Sequence, residues 1–185
     1  MGTPKPHTPV KLFYAILFVD AKDPVELKTL LTEKYGPIDM QSEIFDFNYT
    51  CYYNKEMNGN IKRIFYSFEK LIDARRLCAI KLESNSMEAG FLSQAGGRRV
   101  NLDPGYLTPA KVILASTKDN IQRIYIDSGI YEEITLYYKN RTFNAFEWTF
   151  PDYKESYIPF FNRLRSEFML QAKKNTGGRP ECESE

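Results

Sequence analysis

The amino-acid sequence predicts a single α+β domain built on a largely antiparallel sheet. Segments whose apolar and polar residues alternate with period two are typical of strands, and Gly, Pro and Asn turns separate them. Other segments carry apolar residues at the three- and four-residue spacing of amphipathic helices. Aromatic residues make up 15% of the 185 residues, which favours strands because aromatic side chains suit a pleated, half-buried surface.

An apolar run at residues 10–19 predicts the first strand. The pair Asp23 and Pro24 is a typical helix start, and the breakers Gly36 and Pro37 predict where this first helix ends.

A β-hairpin is predicted next. Residues 42–53 and 61–70 alternate with period two, and Asn58 and Gly59 lie between them. Asn-Gly is the commonest pair for a tight hairpin turn, so we expect the chain to reverse there.

Helical spacing through Cys78, Leu82 and Leu92 predicts a second helix over 71–92, and a strand follows at 98–103. The order strand, helix, strand, strand, helix, strand is that of a ferredoxin-like βαββαβ unit. We therefore expect the first part of the domain to have this arrangement.

The rest of the domain is predicted as a β-meander followed by a C-terminal helix. The four strands of the meander lie at 110–117, 123–127, 133–138 and 143–150. A helix over 156–173 would pack Phe160, Phe161, Leu164 and Phe168 inward. The folded domain is expected to span 10–174, between a flexible N-terminus at 1–9 and a disordered tail at 175–185.

Composition excludes several functional classes. A net charge of +1 provides no field to attract nucleic acid or an anionic membrane, and no apolar run is long enough to span a bilayer. Cys51, Cys78 and Cys182 are dispersed and odd in number, and His7 is the only histidine, so we expect no metal site, no His-based catalytic triad and a cytoplasmic location.

Asp103, Pro104, Gly105 and Tyr106 follow a predicted strand and are typical of a β-turn. In such a turn Pro restricts φ at one corner and Gly permits a positive φ at the next. A turn at this position would place Asp103 and Tyr106 at a strand end, beside the ends of neighbouring strands.

Charged residues of the meander are the main candidates for a binding site. An antiparallel meander brings strand ends together, so we expect the Asp103 turn to lie near Lys118, Asp119, Arg123, Asp127 and Glu133. Cationic side chains bind phosphate oxygens, and carboxylates can hold a hard cation. Arg123 is expected either to bind an anion or to be the buried partner of a carboxylate; the alternative for the whole set is a solvated rim of strand ends.

Lys81, Asn85 and Glu88 form a polar stripe on the second helix, at the spacing i, i+4, i+7. A stripe of this kind usually faces water. If it faces the sheet instead, it can meet Asp103 or Arg123. Residues 148–153, WTFPDY, are predicted to end a strand and cap the last helix, although Trp, Pro and Tyr can also form the floor of a ligand pocket.

These candidates predict a domain that binds an anionic small molecule, such as a nucleotide or a phosphorylated metabolite. The alternative is a non-enzymatic protein-interaction module that uses Tyr131, Tyr137 and Tyr138 on an aromatic sheet surface. The sequence identifies no reaction, cofactor or oligomeric state, and it contains no GxxxxGK[ST] phosphate loop, which excludes a classical GTPase.

Several blocks of the sequence carry a resemblance to a known family. They are NLDPGYLTPAKVILASTKD, RIYIDSGIYEEITLYY and WTFPDY, together with VKLFYAILF and CYYNKEM. These blocks resemble a bacterial family classed as a domain of unknown function, DUF4416. The resemblance covers nearly the whole predicted domain and implies no particular activity.

The dispersed cysteines and single histidine generate a prediction about metal dependence. Because they cannot form a structural zinc site, treatment with a chelator is expected to leave the thermal unfolding midpoint unchanged. Metal analysis of the purified protein is the companion measurement, and stoichiometric zinc lost together with the fold would contradict the prediction.

Overall fold

A nine-stranded sheet runs through the computed structural model, which describes residues 2–49, 57, 59–93 and 96–175. The strands in chain order are β1 Lys11–Phe18, β2 Ile38–Gln41, β3 Phe45–Asp46, β4 Lys62–Phe68, β5 Val100–Leu107, β6 Lys111–Ser116, β7 Ile124–Asp127, β8 Ile130–Lys139 and β9 Thr142–Ala145. Three α-helices accompany them in this part of the chain: α1 Asp23–Tyr35, α2 Leu77–Glu88 and α3 Ile158–Asn175.

The main order of the sheet is β2-β4-β1-β5-β6-β8-β7, with β3 also paired to β4 and β9 to β8. Every ladder is antiparallel. The predicted α+β fold with a largely antiparallel sheet is confirmed. The predicted β-meander is wrong, because β6 pairs with β8 and β7 lies at the outer end of the main strand order. The ferredoxin-like arrangement of its first part stays a prediction.

Helices cover both faces of the sheet, so that β1 is buried along its whole length. On the α1–α2 face, Leu12, Tyr14 and Ile16 of β1 pack with residues of α1 and α2. On the α3 face, Phe13 and Ala15 pack with the aromatic residues of α3. A strand covered on both faces has no polar side, which explains the continuous apolar run in its sequence.

A buried hydroxyl ties both helices of the α1–α2 face to the centre of the sheet. The Tyr14 hydroxyl donates to the Tyr35 hydroxyl of α1 at 3.1 Å and lies 3.0 Å from the Ser84 hydroxyl of α2. The three side chains therefore share one buried polar contact between layers that are otherwise apolar.

The predicted β-turn at Asp103 is wrong, because residues 103–106 lie inside β5. Pro104 lies opposite Tyr14 of β1, and Gly105 lies opposite Phe13. Gly105 is needed for space rather than for a positive φ, because a Cβ atom there would lie 2.5 Å from the Phe13 ring. A dipeptide that usually makes a turn is here held extended by its neighbours.

The second helix differs from its prediction in length and in phase. It begins at Leu77, after a 3₁₀ turn at Ala74–Arg76, and ends at Glu88. Leu82, placed on the buried stripe by its spacing, is 40% exposed. Lys81 and Glu88 are buried instead, which shows that the polar stripe of α2 faces the sheet. Their charged groups can be buried because they form hydrogen bonds with the backbone of Leu102.

The last helix starts with an irregular turn. A π turn at Tyr153–Tyr157 leads directly into α3, and Pro159 lies one residue inside α3. Proline has no N–H to donate to the preceding turn, and wide turns are common where the helical hydrogen bonding is interrupted. The π turn leaves both Tyr153 and Tyr157 buried against the α3 face.

Some sequence predictions fall partly outside the described residues. The strand β3 pairs with Lys62 and Arg63 of β4, as in the predicted hairpin, but Asn58 of the expected turn lies outside the described residues. Cys51 and residues 176–185, which include Cys182, also lie outside them. Residues 2–9 are exposed and form neither a helix nor a strand.

Substitution of Gly105 by Ala tests the close packing between β1 and β5. The added Cβ would meet the Phe13 ring at 2.5 Å and also the Ile113 carbonyl oxygen, and overpacking of this kind costs about 1–3 kcal/mol. Urea unfolding of Gly105→Ala measures this loss. Gly2→Ala is the matched control, because it makes the same change where no atom of the described residues beyond its chain neighbours lies within 4 Å of the added Cβ. Equal stability of the two variants would contradict the packing role.

Candidate functional site

A cavity of about 430 Å³ opens where β5 and β6 separate. The two strands pair only through Gly105, Tyr106 and Leu107 of β5, and the segment of β5 from Val100 to Pro104 has no partner on that edge. Pro104 explains the separation, since it lacks the N–H that would continue the ladder. The cavity lies mainly on the α3 face and reaches through the gap to α2.

Two charged side chains of α2 satisfy the open backbone edge of β5. The Leu102 N–H donates to Glu88 Oε1 at 2.6 Å, and the Leu102 carbonyl accepts from Lys81 Nζ at 2.7 Å. Residues two apart on a strand direct their backbone groups to the same edge, so Leu102 and Pro104 share the edge that β6 leaves unpaired. Lys81 and Glu88 therefore make the hydrogen bonds with Leu102 that a neighbouring strand would otherwise make.

Lys81 and Glu88 also contact the residues that form the first wall of the cavity. Lys81 Nζ also lies 3.1 Å from Asp103 Oδ1, and the Asn101 amide donates to Asp103 Oδ2 at 2.6 Å. Arg98 Nη1 donates to Glu88 Oε2 at 2.9 Å. Burial raises the pKa of the Glu88 carboxyl, while Lys81 and the Leu102 N–H oppose that shift.

Arg123 and Glu133 form the second wall as a buried ion pair. Arg123 Nε lies 2.7 Å from Glu133 Oε2, and the two side chains are only 6% and 1% exposed. Arg123 Nη1 also donates to the Ser116 hydroxyl at 2.8 Å and to the Lys118 carbonyl at 3.0 Å. The pair fixes the loop after β6 against β8, and Asp103 is the partner of Lys81 rather than of Arg123.

Arg63 of β4 and the start of the last helix form the third wall. The guanidinium carbon of Arg63 lies 4.9 Å from the centre of the Phe47 ring and 5.7 Å from that of Tyr153. Asp152 is its nearest carboxylate, with 3.6 Å between Arg63 Nε and Asp152 Oδ2. Burial raises the pKa of the Asp152 carboxyl, although Arg63 opposes the shift.

Six of the ten predicted site residues line the cavity. They are Lys81, Asn85, Asp103, Lys118, Arg123 and Glu133. The other four do not line it: Tyr106, Glu88, Asp119 and Asp127.

The four residues outside the walls have identifiable positions. Glu88 lies behind the first wall, bound to Leu102 and Arg98, while Asp119 and Asp127 are exposed. The Tyr106 side chain is on the α1–α2 face, 3.5 Å from Glu132, and burial raises its pKa to about 12.

Sequence reasoning missed Arg63 and gave little weight to Asp152 and Tyr153. The signal for Arg63 was a charged residue at an inward position of the apolar strand IKRIFYSF. The signal for Asp152 and Tyr153 was the WTFPDY block, of which Phe150, Pro151, Asp152 and Tyr153 line the cavity. Trp148 instead stacks on Phe146, with 4.6 Å between the ring centres.

Metal-ligand clusters and membrane-spanning helices are both absent from the described ranges. No three His, Cys, Asp or Glu residues there are grouped so that they could hold a metal ion. None of the helices in the same ranges has the length and apolar character needed to cross a membrane.

The fold and the site define a class of protein: an α+β domain whose antiparallel sheet opens around a cavity lined by charged and aromatic side chains. The chain belongs to the family described as Domain of unknown function (DUF4416), whose model matches residues 8–168. Neither the curated proteins nor the solved structures contain a match to this chain. The predicted membership is confirmed, and the match includes all the described residues that line the cavity.

The buried Arg123–Glu133 pair predicts a large cost when only one partner is removed. Arg123→Met leaves the Glu133 carboxylate buried without its cation, and the loss is expected to be about 3–5 kcal/mol. In the double variant Arg123→Met/Glu133→Leu much of that loss should be recovered, because no unpaired charge remains. Denaturant unfolding of both variants measures the difference. A loss below about 1 kcal/mol in Arg123→Met is the behaviour of an exposed pair and would contradict the prediction.

Proposed function

We propose that the cavity binds an anionic small molecule, with nucleotides and phosphorylated metabolites as the favoured classes. The supporting observation is the charge of its walls, which carry five cationic and three carboxylate side chains among the described residues. The cations still exceed the carboxylates when Glu88, the partner of Arg98 behind the wall, is included. Such a charge balance favours an anion in a concave, partly enclosed site.

The size and the apolar surface of the cavity support the same proposal. A volume of about 430 Å³ lies within the roughly 300–1,000 Å³ typical of small-molecule sites. Phe47, Tyr49 and Phe150 also line it and provide flat apolar surfaces for a planar group such as a nucleobase. Polar groups that bind an anion beside rings that can stack on a base are the combination that nucleotides require.

The cytoplasm remains the proposed compartment, because the odd and dispersed cysteines do not suit a disulfide framework. Binding to nucleic acid or to a membrane is not part of the proposal, since a net charge of +1 offers no general attraction to polyanions.

A protein-interaction module is the alternative proposal. This alternative was based on three tyrosines of β8, Tyr131, Tyr137 and Tyr138. They are half-buried against neighbouring side chains and do not form a flat exposed patch. The observation that now favours it is the edge strand β7, where Ile124, Tyr125 and Ile126 are exposed. Concentration-dependent light scattering that disappears in Ile124→Lys would support this alternative.

A charge placed in the cavity wall tests the anion-binding proposal. Asn85 lines the cavity and is half-buried, so Asn85→Asp adds a carboxylate at nearly constant volume. With a panel of nucleotides, sugar phosphates and neutral metabolites, wild-type protein should show thermal stabilisation by anions only. We expect Asn85→Asp to weaken binding of the stabilising anion about tenfold through charge repulsion.

Asn140→Asp is the matched control for this experiment. It makes the same change in an exposed turn about 23 Å along β8 from Glu133, and it should leave the affinity unchanged. The proposal is wrong if no anion in the panel stabilises the wild-type protein, or if both variants lose affinity equally.

A further inference from the structure

Arg63 differs from the other buried cations of the cavity in its hydrogen bonding. Lys81 and Arg123 each donate to a carboxylate and to a carbonyl. Arg63 is 5% exposed, yet its side chain donates no hydrogen bond to any described residue, and its buried Nε, 3.6 Å from Asp152 Oδ2, has no hydrogen-bond partner among them. A buried guanidinium that makes no hydrogen bond is costly and needs an explanation.

Four aromatic rings hold this guanidinium in place without using its donors. Its carbon lies between 4.9 and 6.0 Å from the ring centres of Phe47, Phe65, Tyr153 and Tyr157. Contacts with the ring faces favour the positive charge but do not replace the hydrogen bonds that a guanidinium makes in water. The rings and the ion pair with Asp152 thus orient the side chain, while it makes no hydrogen bond to a described residue.

Tyr153 supplies a second unpaired donor on the same wall. It is 1% exposed, it lines the cavity together with Arg63, and its hydroxyl has no hydrogen-bond partner among the described residues. Burial raises the pKa of this hydroxyl well above its ordinary value, so it keeps its proton at neutral pH and can donate it to an acceptor.

We propose that Arg63 and Tyr153 form the subsite that holds the anionic group of the ligand, a phosphate or a carboxylate. The guanidinium presents paired N–H donors that match two oxygens of such a group, and the phenol hydroxyl donates to one of them. Asp152 lies on the Nε side of Arg63, which leaves the edge formed by the two terminal nitrogens for the ligand. This subsite rests on the proposed function and assigns its anion to the Arg63 wall rather than to the Arg123 wall.

The test uses three small probes on the full chain: inorganic phosphate, ribose 5-phosphate and succinate. At least one of them is expected to stabilise the wild-type protein in thermal unfolding and to bind in calorimetry. Arg63→Met keeps an unbranched apolar stem among the rings, and it should weaken binding of that probe about tenfold to a hundredfold. Its unfolding midpoint without probe is expected to fall, because Asp152 loses the cation that lies 3.6 Å away, so binding is compared at a temperature where both proteins are folded.

Two further variants keep the proposal testable if Arg63→Met does not fold. Tyr153→Phe removes only the unpaired hydroxyl and should weaken the probe several-fold at unchanged stability. Arg63→Lys keeps the charge but not the planar pair of donors, so it should retain part of the phosphate binding and lose succinate binding. The two probes thereby distinguish a phosphate ligand from a carboxylate ligand.

Arg165→Met is the matched control. Arg165 also stacks on an aromatic ring, 3.6 Å from the centre of Tyr138, but it lies outside the cavity walls and should not affect binding. The subsite is overturned if the probe binds Arg63→Met or Tyr153→Phe as tightly as wild type, or if only larger anions of the panel bind. The last result leaves the proposed function standing, whereas the absence of any anion binding overturns both proposals.

Discussion

The backbone edge of β5 between Val100 and Pro104 is the constraint on which the rest of the site depends. This segment is covered on both faces, but β6 does not pair with it, and Pro104 has no N–H to offer. Backbone groups buried without partners are too costly to keep, so the Leu102 N–H and carbonyl must be satisfied from elsewhere. Glu88 and Lys81 satisfy them, and α2 must therefore lie with its charged stripe against the sheet. The cavity is the space that this arrangement leaves between β5 and β6.

The charges around this space have different physical roles. Lys81, Glu88 and Arg123 are bound to backbone groups or to carboxylates, and these contacts fix the positions of α2, β5 and the loop after β6. Buried pairs of this kind add little net stability compared with apolar residues, because desolvation offsets their attraction. Arg63 is oriented by aromatic rings without hydrogen bonds to described residues. The walls thus combine charges that are hydrogen-bonded within the fold with Arg63, whose ion pair with Asp152 at 3.6 Å leaves it without a hydrogen bond to a described residue.

The sequence predicted those elements whose local signals agree with their surroundings. The apolar run of β1 and the start and stop signals of α1 are strong, and the structure has these elements within one or two residues of the expected bounds. The β-turn predicted at Asp103 to Tyr106 is wrong because turn propensity reflects only the local sequence. The pairing of Gly105 with Phe13 depends on a strand about 90 residues earlier in the chain.

The candidate site was predicted in part for the same reason. Charged residues near the ends of the strands after β5 and on α2 could be grouped from their order along the chain, and six of the ten predicted site residues line the cavity. The phase of α2 could not be derived from apolar spacing, since Lys81 and Glu88 are buried only because β5 lacks a neighbour at Leu102. Arg63 could not be recognised, because β1 separates β4 from β5 and only the folded sheet brings Arg63 to the same cavity as Asp103.

The short ladder between β5 and β6 links the shape of the cavity to the interior packing of the domain. The three residue pairs of this ladder join strands β2-β4-β1-β5 on one side to strands β6-β8-β7 on the other. At one of these pairs the Phe13 ring occupies the space where a side chain of Gly105 would lie. The walls of the cavity are continuations of these same two strands. Any rotation of one half of the sheet relative to the other would widen or narrow the opening and would also displace that ring. The opening available to a ligand therefore depends in part on the contact between a glycine and a phenylalanine that do not line the cavity.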